Sequence, residues 1–251
     1  MSKRVAVILA AGKGTRMKSD LPKVLIEVCG RPMIDYVLDA LAETAVDRVL
    51  VVVGYRADLV RRALADRPQV EFVEQTEQLG TGHAVMVCRE ALAGHEGAAL
   101  IVTGDSPLAQ PDSLRRLLED FDRDRPACLL GTAHKEDPHG LGRIVRDARG
   151  EFERIVEEKD ASDDERRIGE VNMSCYVFAG PDLLFALDHI RPANRQSEYY
   201  LTDCPGVLKA AGRTVRALPV LKPIEALSIN TREELAAVEA VVRSGRHRAG
   251  F

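Results

Sequence analysis

The sequence lacks paired cysteines and has no excess of basic residues. Its five cysteines are odd in number, scattered and never arranged as Cys-x-x-Cys, so we expect free thiols in a reducing cytoplasm rather than a disulfide framework. The 39 acidic residues outnumber the 35 basic ones, and no run of five or more basic residues occurs. This charge balance argues against nucleic acid or an anionic membrane as the main partner.

Long apolar segments and clustered metal ligands are also missing. The apolar stretch at residues 5–11 is far shorter than the roughly 18 residues of a transmembrane helix, and it carries no signal-peptide cleavage site. The six histidines form no His-Glu-x-x-His or Cys/His cluster, and no G-x-S-x-G elbow occurs. We therefore expect a cytoplasmic globular protein whose chemistry uses neither zinc nor a serine nucleophile. A reaction in which the substrate brings its own nucleophile fits this pattern.

Short apolar runs alternate with helical periodicity through the first half of the chain. Residues 5–9, 49–53, 70–73 and 100–103 predict strands buried on both faces. The segments between them place apolar residues on single helical faces. This alternation predicts an α/β fold with a Rossmann-like, mostly parallel sheet flanked by helices.

The pattern changes after residue 127. Residues 143–146 and 153–156 flank a turn at 147–150 and predict a β-hairpin, while residues 171–177 alternate like a half-buried strand. These segments indicate a smaller mixed α/β lobe built onto the first. A last helix is predicted at residues 231–243, followed by a basic tail that we expect to be frayed.

The most informative segment follows the first predicted strand. Residues 9–17 read Leu-Ala-Ala-Gly-Lys-Gly-Thr-Arg-Met and lie at the carboxyl edge of the sheet, where open α/β folds bind ligands. Gly12 and Gly14 allow backbone amides to approach a phosphate, and Arg16 and Lys23 supply charge that attracts a triphosphate. The spacing matches neither a dinucleotide fingerprint nor a Walker A loop. The alternative is a glycine-containing surface turn with solvated basic residues.

Two further loops follow later strands. Gln75 and Gln78 carry amides that offer a donor and an acceptor together, which suits the edge of a base such as uracil. A polar helix start with Thr81 near the cap is the alternative. Asp105 supplies a carboxylate that could bind Mg²⁺ together with substrate phosphates, or could instead stabilise a turn. Because parallel strands align their carboxyl ends, we expect the three loops to meet.

These residues resemble the pyrophosphorylase domain of bacterial N-acetylglucosamine-1-phosphate uridylyltransferases, within the larger sugar nucleotidyltransferase family. The first-loop signature L-A-A-G-x-G-T-R-M lies at residues 9–17, and L-P-K follows at 21–23. Q-L-G-T-G-H-A at 78–84 and E-Y-Y-L-T-D at 198–203 match the N-acetylglucosamine enzymes more narrowly. The matches occur in family order over most of residues 5–230.

The resemblance implies a Mg²⁺-dependent reaction of UTP with N-acetylglucosamine-1-phosphate and a nucleotidyltransferase domain over residues 1–230. The C-terminal helix and basic tail that the sequence pattern predicts take up residues 231–251. Its implied nucleotide-binding residues are Ala10, Ala11, Gly12, Gly14, Gln75, Gln78, Gly80 and Thr81. Its implied catalytic residues, on the UTP phosphates, are Arg16 and Lys23. Its implied metal ligands are Asp105 and Asn230, and its implied sugar-binding residues are Gly142, Glu157, Asn172 and Tyr199.

Three departures from the family pattern fall on the sugar side. Met173-Ser174 replaces Thr-Gly, Ser197 replaces the glycine before Glu-Tyr-Tyr, and Leu141 replaces an aromatic residue. Another hexose-1-phosphate therefore stays open as the substrate, as does a regulatory homologue that binds the nucleotide without turnover. No hexapeptide repeat follows Asn230, so acetyl transfer is not expected of this sequence.

Two of the implied residues have alternative interpretations. Asn230 could be the N-cap of the last helix, and Glu157 could be a solvated charge at a strand end. The sequence gives no indication of the oligomeric state.

Overall fold

A computed structural model describes residues 3–17, 19–194, 196–227 and 229–245, and for Arg16 only the main chain. The strands are β1 Val5–Ala10, β2 Glu27–Val28, β3 Arg31–Pro32, β4 Arg48–Val53, β5 Val70–Glu74, β6 Ala98–Thr103, β7 Cys128–His134, β8 Arg143–Arg146, β9 Phe152–Val156, β10 Glu170–Ala179 and β11 Val215–Leu218. The helices are α1 Met33–Ala42, α2 Ala57–Ala63, α3 Thr81–Met86, α4 Pro111–Asp124, α5 Asp163–Arg166, α6 Gly180–His189, α7 Cys204–Ala210 and α8 Arg232–Arg243. Residues 246–251 of the predicted tail lie outside the described residues.

Most of the described strands form one sheet in the order β11-β7-β10-β6-β1-β4-β5. Strand β1 pairs in parallel with both β4 and β6, and β4 pairs in parallel with β5. Strand β10 runs antiparallel to β6 and β7, while β11 is parallel to β7. The predicted Rossmann-like, mostly parallel sheet is confirmed.

Helices cover both faces of the sheet. In β1, Val5 and Val7 pack toward α3, α6 and α7, whereas Ala6 and Ile8 pack toward α1, α2 and α4. Continuous apolar strands are favoured here because both of their faces are buried. Among the described residues, no helix is both long and apolar enough to cross a bilayer.

The order of the strands places a topological switch beside β1. From β1 the chain proceeds outward to β4 and β5 on one side and then returns to β6 on the other. The connections therefore diverge beyond the carboxyl ends of β1 and β6 and leave a crevice between them. Open α/β sheets bind their ligands at such a crevice.

Two of the predicted strands differ from expectation in their burial. Strand β5 is at the sheet edge, paired with β4 alone, and only Val70 of its five residues is buried. The predicted half-buried strand at 171–177 is instead central β10, which lies between β6 and β7 and is buried over most of its length. A bulge between Asn172 and Cys175 interrupts its two-residue alternation.

The second half of the chain extends the same sheet instead of forming a separate one. Strands β7, β10 and β11 all belong to it, and the predicted hairpin branches from β10 as β8 and β9. Its turn is closed by a 2.9 Å hydrogen bond from Gly150 N to Asp147 O. Helix α5 lies beside β8 and completes the smaller mixed lobe.

A separate apolar cluster connects the two ends of the chain. Val238 of α8 and the preceding Ile229 are buried together with Met17 of the first loop and Val28 of β2. This packing holds the start of α8 against the loop that follows β1. All five cysteines are free, as predicted.

Candidate functional site

A cleft of about 300 Å³ lies beyond the carboxyl ends of β1, β5 and β6. It is lined by Leu9, Ala11, Gly12, Lys23, Val24, Gln75, Gln78, Gly80, Thr81, Ala84, Thr103, Asp105 and Glu198. The fold therefore brings together all three loops that the sequence singled out, at the topological switch beside β1.

The first loop folds back so that Lys23 faces this cleft. Gly14 has φ +68°, and a Cβ on it would lie 2.8 Å from Cβ of Lys23, so glycine is required both for the backbone conformation and for the close contact. Lys23 N donates a 3.3 Å hydrogen bond to Gly12 O. A second cavity of about 210 Å³, lined by Gly14, Thr15, Met17, Lys23 and Asn230, lies on the other side of the lysine.

The lysine side chain contacts both predicted metal ligands, Asp105 and Asn230. Its ammonium group is ion-paired with Asp105 and donates a 3.0 Å hydrogen bond to Oδ1 of Asn230. Asp105 is therefore not engaged as a turn-stabilising residue alone. Asn230 is not the N-cap of α8 either, because Thr231 occupies that position and accepts a hydrogen bond from Glu234 N.

The donor set at this point fits a hard divalent cation. A carboxylate and an amide oxygen converge on one positive charge, and oxygen ligands of this kind are those that Mg²⁺ prefers. No group of three or more His, Cys, Asp or Glu residues that could hold a metal occurs in the described part of the chain. A magnesium ion bound here would therefore depend on substrate phosphates and water for its remaining ligands.

The loop after β5 is shaped by contact with the segment around Tyr199. Gly80 has φ +106°, and a Cβ on it would lie 2.5 Å from Tyr199 O. Tyr199 N donates to Leu79 O at 2.8 Å, and Gly82 N donates to Tyr199 O at 2.7 Å. Thr81 does not cap α3; its hydroxyl accepts a 3.0 Å hydrogen bond from Leu201 N. The Gln-Leu-Gly-Thr-Gly and Glu-Tyr-Tyr segments thus form one unit.

Three of the four predicted sugar-side residues form a second group. Asn172 N donates to Gly142 O at 2.8 Å, and Oδ1 of Asn172 accepts a 3.0 Å hydrogen bond from the Tyr176 hydroxyl. Burial, with a smaller contribution from the charge of Glu157, raises the pKa of the Tyr176 hydroxyl. Burial raises the pKa of Glu157 although the Thr202 hydroxyl donates to it, so Glu157 is not the solvated charge of the alternative interpretation.

Some predicted residues lie away from the cleft lining. The methyl group of Ala10 is buried in the core, and Gly14 lines the second cavity but not the main cleft. None of Gly142, Glu157, Asn172 and Tyr199 is among the residues that line the main cleft. The side chain of Arg16 falls outside the described part of the structure, so its predicted role stays a prediction.

The sequence interpretation missed one charged residue of the cleft. Glu198 lines the cleft from the segment that contacts Gly80. A Cβ added to Gly80 would lie 2.9 Å from Cβ of Glu198. The motif Glu-Tyr-Tyr-Leu-Thr-Asp contained the signal, but nothing local in that motif indicates which of its side chains faces the loop after β5.

The chain is similar in sequence to bacterial proteins named GlmU. The chain is 46% identical to the bifunctional protein GlmU of Pelotomaculum thermopropionicum over 238 residues, which are 95% of this chain and 52% of that protein. It is 43% identical to the GlmU of Enterococcus faecalis over 242 residues, 96% of this chain and 52% of that protein. The chain thus spans about half the length of the curated relatives it matches.

Solved structures share the fold at low identity. A UDP-glucose pyrophosphorylase complexed with UDP-glucose has a TM-score of 0.76 at 17% identity, with 98% of this chain and 100% of that chain covered. A putative glucose-1-phosphate thymidylyltransferase from Bacillus anthracis has a TM-score of 0.77 at 17% identity, with 96% and 95% covered. Residues 6–171, which contain the loops after β1, β5 and β6, match the MobA-like NTP transferase domain, and the chain belongs to that family.

Proposed function

We propose that this protein transfers a uridylyl group from UTP to N-acetylglucosamine-1-phosphate and releases pyrophosphate. The observation that carries the proposal is the cleft in which Gly12, Lys23, Gln75 and Asp105 meet at the topological switch. The identity of 42–46% to proteins named GlmU over 95–97% of this chain supports the same activity.

The proposed reaction requires no protein nucleophile. A phosphate oxygen of the sugar phosphate forms a bond to the α-phosphorus of UTP, and the bond between that phosphorus and the bridging oxygen to the β-phosphorus breaks. The electron pair leaves with pyrophosphate. A phosphate monoester has its second pKa at about 6, so the attacking oxygen is already anionic at neutral pH. Catalysis then depends on positioning and charge stabilisation.

Different residues of the main cleft would position the substrates and stabilise charge. The open space at Gly12, where a Cβ would meet no atom within 4 Å, leaves the main chain accessible to phosphates. Lys23, with Arg16 as the resemblance implies, would stabilise the charge that develops on the triphosphate. Gln75, Gln78, Gly80 and Thr81 would hold the uridine.

The acceptor sugar would bind beyond the uridine, beside the group formed by Gly142, Asn172 and Glu157. The segment at residues 198–203 connects the two regions, because Glu198 lines the cleft and the Thr202 hydroxyl hydrogen-bonds to Glu157. Tyr199 contacts the nucleotide loop through its main chain, and its ring centroid lies 6.4 Å from that of His83, so its contact with the sugar rests on the resemblance alone.

Asp105 and Asn230 would hold Mg²⁺, which when bound neutralises phosphate charge and orients the triphosphate. Lys23 would then exchange its contacts with these two side chains for contacts with the phosphates. The exchange keeps each charged group paired throughout binding, which avoids the cost of leaving a half-buried charge alone.

A second candidate is uridylyl transfer to a different hexose-1-phosphate. It is favoured by Ser174 and Ser197, which hold left-handed backbone conformations with φ +50° and +54° at positions where the family pattern has glycine. Ser174 N donates a 3.3 Å hydrogen bond to Oδ1 of Asn172, and Ser197 directly precedes Glu198 of the main cleft.

A pyrophosphate-release assay tests these proposals. The full chain is incubated with each of UTP, CTP, ATP and GTP against N-acetylglucosamine-, glucosamine- and glucose-1-phosphate, with and without Mg²⁺. We expect the highest kcat/KM with UTP and N-acetylglucosamine-1-phosphate. A higher value with another hexose would support the second candidate, and binding of UTP without turnover of any sugar phosphate would indicate a regulatory homologue.

A further inference from the structure

The side-chain amide of Gln75 contacts hydrogen-bond partners in the described structure through its nitrogen atom and not through its oxygen atom. The side chain is buried, with 3% of its surface exposed, and it lines the main cleft. Its Nε2 atom donates a 3.1 Å hydrogen bond to Gly80 O and lies 3.0 Å from Nδ1 of His83. No described residue donates a hydrogen bond to its Oε1 atom.

The carbonyl oxygen of Gly80 sets the orientation of this amide, and the ring of His83 supports it. Rotating it by half a turn would place Oε1 against the carbonyl oxygen of Gly80, where two acceptors would face each other. Because an amide nitrogen only donates, Nδ1 of His83 must accept, and the imidazole proton must be on its Nε2 atom. Gly80 O and Nδ1 of His83 therefore both accept from Nε2 of Gln75 and leave its Oε1 atom directed away from them.

The ring of His83 is itself held in place. It lies in the first turn of α3, with its centroid 6.4 Å from that of Tyr199. The main chain of Tyr199 is bonded on both sides to the loop that carries Gly80. His83 and Tyr199, which do not line the main cleft, and Gly80, which does, thus form a support for the glutamine.

We infer that His83 is a positioning residue that makes Gln75 present an acceptor to the base and thereby selects uracil over cytosine. This inference rests on the proposed function for the identity of the ligand. N3 of uracil carries a proton and donates a hydrogen bond, whereas N3 of cytosine accepts one. An acceptor fixed in a buried position pairs with the first base and opposes the second.

The test measures the affinity of the full chain for UTP and for CTP by calorimetry in His83→Leu and His83→Asn. Leucine removes the acceptor, whereas asparagine carries an Oδ1 atom at the same number of bonds from Cα as Nδ1. We expect the wild-type protein to prefer UTP, His83→Leu to lose at least about tenfold of that preference, and His83→Asn to retain most of it. His134→Leu, exposed and outside the cleft lining, is the matched control.

A purely structural role for His83 gives a different result. It would weaken UTP and CTP binding by equal factors in His83→Leu, with no rescue by asparagine, and that result would overturn the inference. Equal affinity of the wild-type protein for UTP and CTP would overturn it as well.

A measurement on the wild-type protein does not depend on how the variants fold. The ¹⁵N shifts of the His83 ring, assigned by their loss in His83→Asn, should show an unprotonated Nδ1 atom at neutral pH. A proton on Nδ1 would overturn the inference. Pyrophosphate release is assayed separately, so selective UTP binding without turnover would contradict the proposed uridylyl transfer but support the role of His83.

Discussion

The ammonium group of Lys23 is ion-paired with the carboxylate of Asp105, and the two residues reach each other from loops that follow different strands. Both side chains are largely shielded from solvent, with 15% and 27% of their surfaces exposed. Asn230 accepts a further hydrogen bond from the same ammonium group. The lysine thus occupies the position on which the two proposed metal ligands converge.

Asp105→Asn should raise the Mg²⁺ requirement of the proposed reaction. The substitution removes the negative charge of the pair and leaves only neutral oxygens for the cation, so we expect the half-saturating Mg²⁺ concentration to rise about tenfold or more. Titration of pyrophosphate release with Mg²⁺ measures it. Asp164→Asn, on the exposed surface of α5, is the control and should leave the titration unchanged. An unchanged titration in Asp105→Asn would remove Asp105 from the metal site.

Arg16→Ala should lower kcat by roughly 10³-fold or more if this arginine stabilises transition-state charge as an arginine finger does. The prediction rests on the first-loop signature alone. Steady-state kinetics of pyrophosphate release measure the effect, and the thermal melting curve establishes that the variant is folded. Near-normal turnover in a folded variant would contradict the assignment.

Gly80→Ala should destabilise the protein by about 1–3 kcal/mol, because the added Cβ would meet Tyr199 O at 2.5 Å in a left-handed backbone conformation. Gly12→Ala is the matched control, since a Cβ there meets nothing within 4 Å. We expect Gly12→Ala to change the free energy of unfolding by less than about 0.5 kcal/mol. Denaturant unfolding compares the two, and equal losses of stability would contradict the close approach at Gly80.

Ser174→Gly and Ser197→Gly should each stabilise the protein. A non-glycine residue in the left-handed region costs about 1–2 kcal/mol, whereas the greater freedom of glycine in the unfolded chain costs about 0.4–1 kcal/mol. The expected net gain is therefore about 0.5–1 kcal/mol for each. Ser162→Gly serves as the control, because φ is −68° there and the side chain caps α5 by accepting from Glu165 N. The control should lose stability, and a loss at 174 or 197 would show that the serine contributes more than its backbone conformation costs.

Glu157→Gln should raise the melting temperature at neutral pH, measured without substrate. Burial raises the pKa of Glu157 above its ordinary value of 4.5, so the ionised side chain is less favourable in the folded than in the unfolded state. Glutamine carries no such penalty and can still accept from Thr202. As the pH falls through the raised pKa toward 4.5, the wild-type side chain protonates and the difference should disappear. A gain that is independent of pH would contradict this cause.

The sequence predicted which residues form the strands and loops of the cleft more reliably than it predicted how deeply the strands are buried and where they lie in the sheet. The period-two pattern of Val171, Met173 and Cys175 identified a strand, but the bulge within β10 and its central position were not visible in that pattern. The apolar character of residues 70–73 suggested a strand buried on both faces, yet β5 is an edge strand. Strand order is set by contacts between distant segments, which local periodicity does not encode.

The sequence by itself determined the chemistry available to this protein: glycines after β1, amides after β5, a carboxylate after β6, and strands apolar enough to require helices on both faces. Only the tertiary structure decided how these groups pair. Lys23 contacts Asp105 and Asn230, which are 82 and 207 positions away, and Nδ1 of His83 lies 3.0 Å from the amide nitrogen of Gln75. A hydrogen bond is effective only over about 3 Å, so each such pairing depends on the packing of whole elements that no motif specifies.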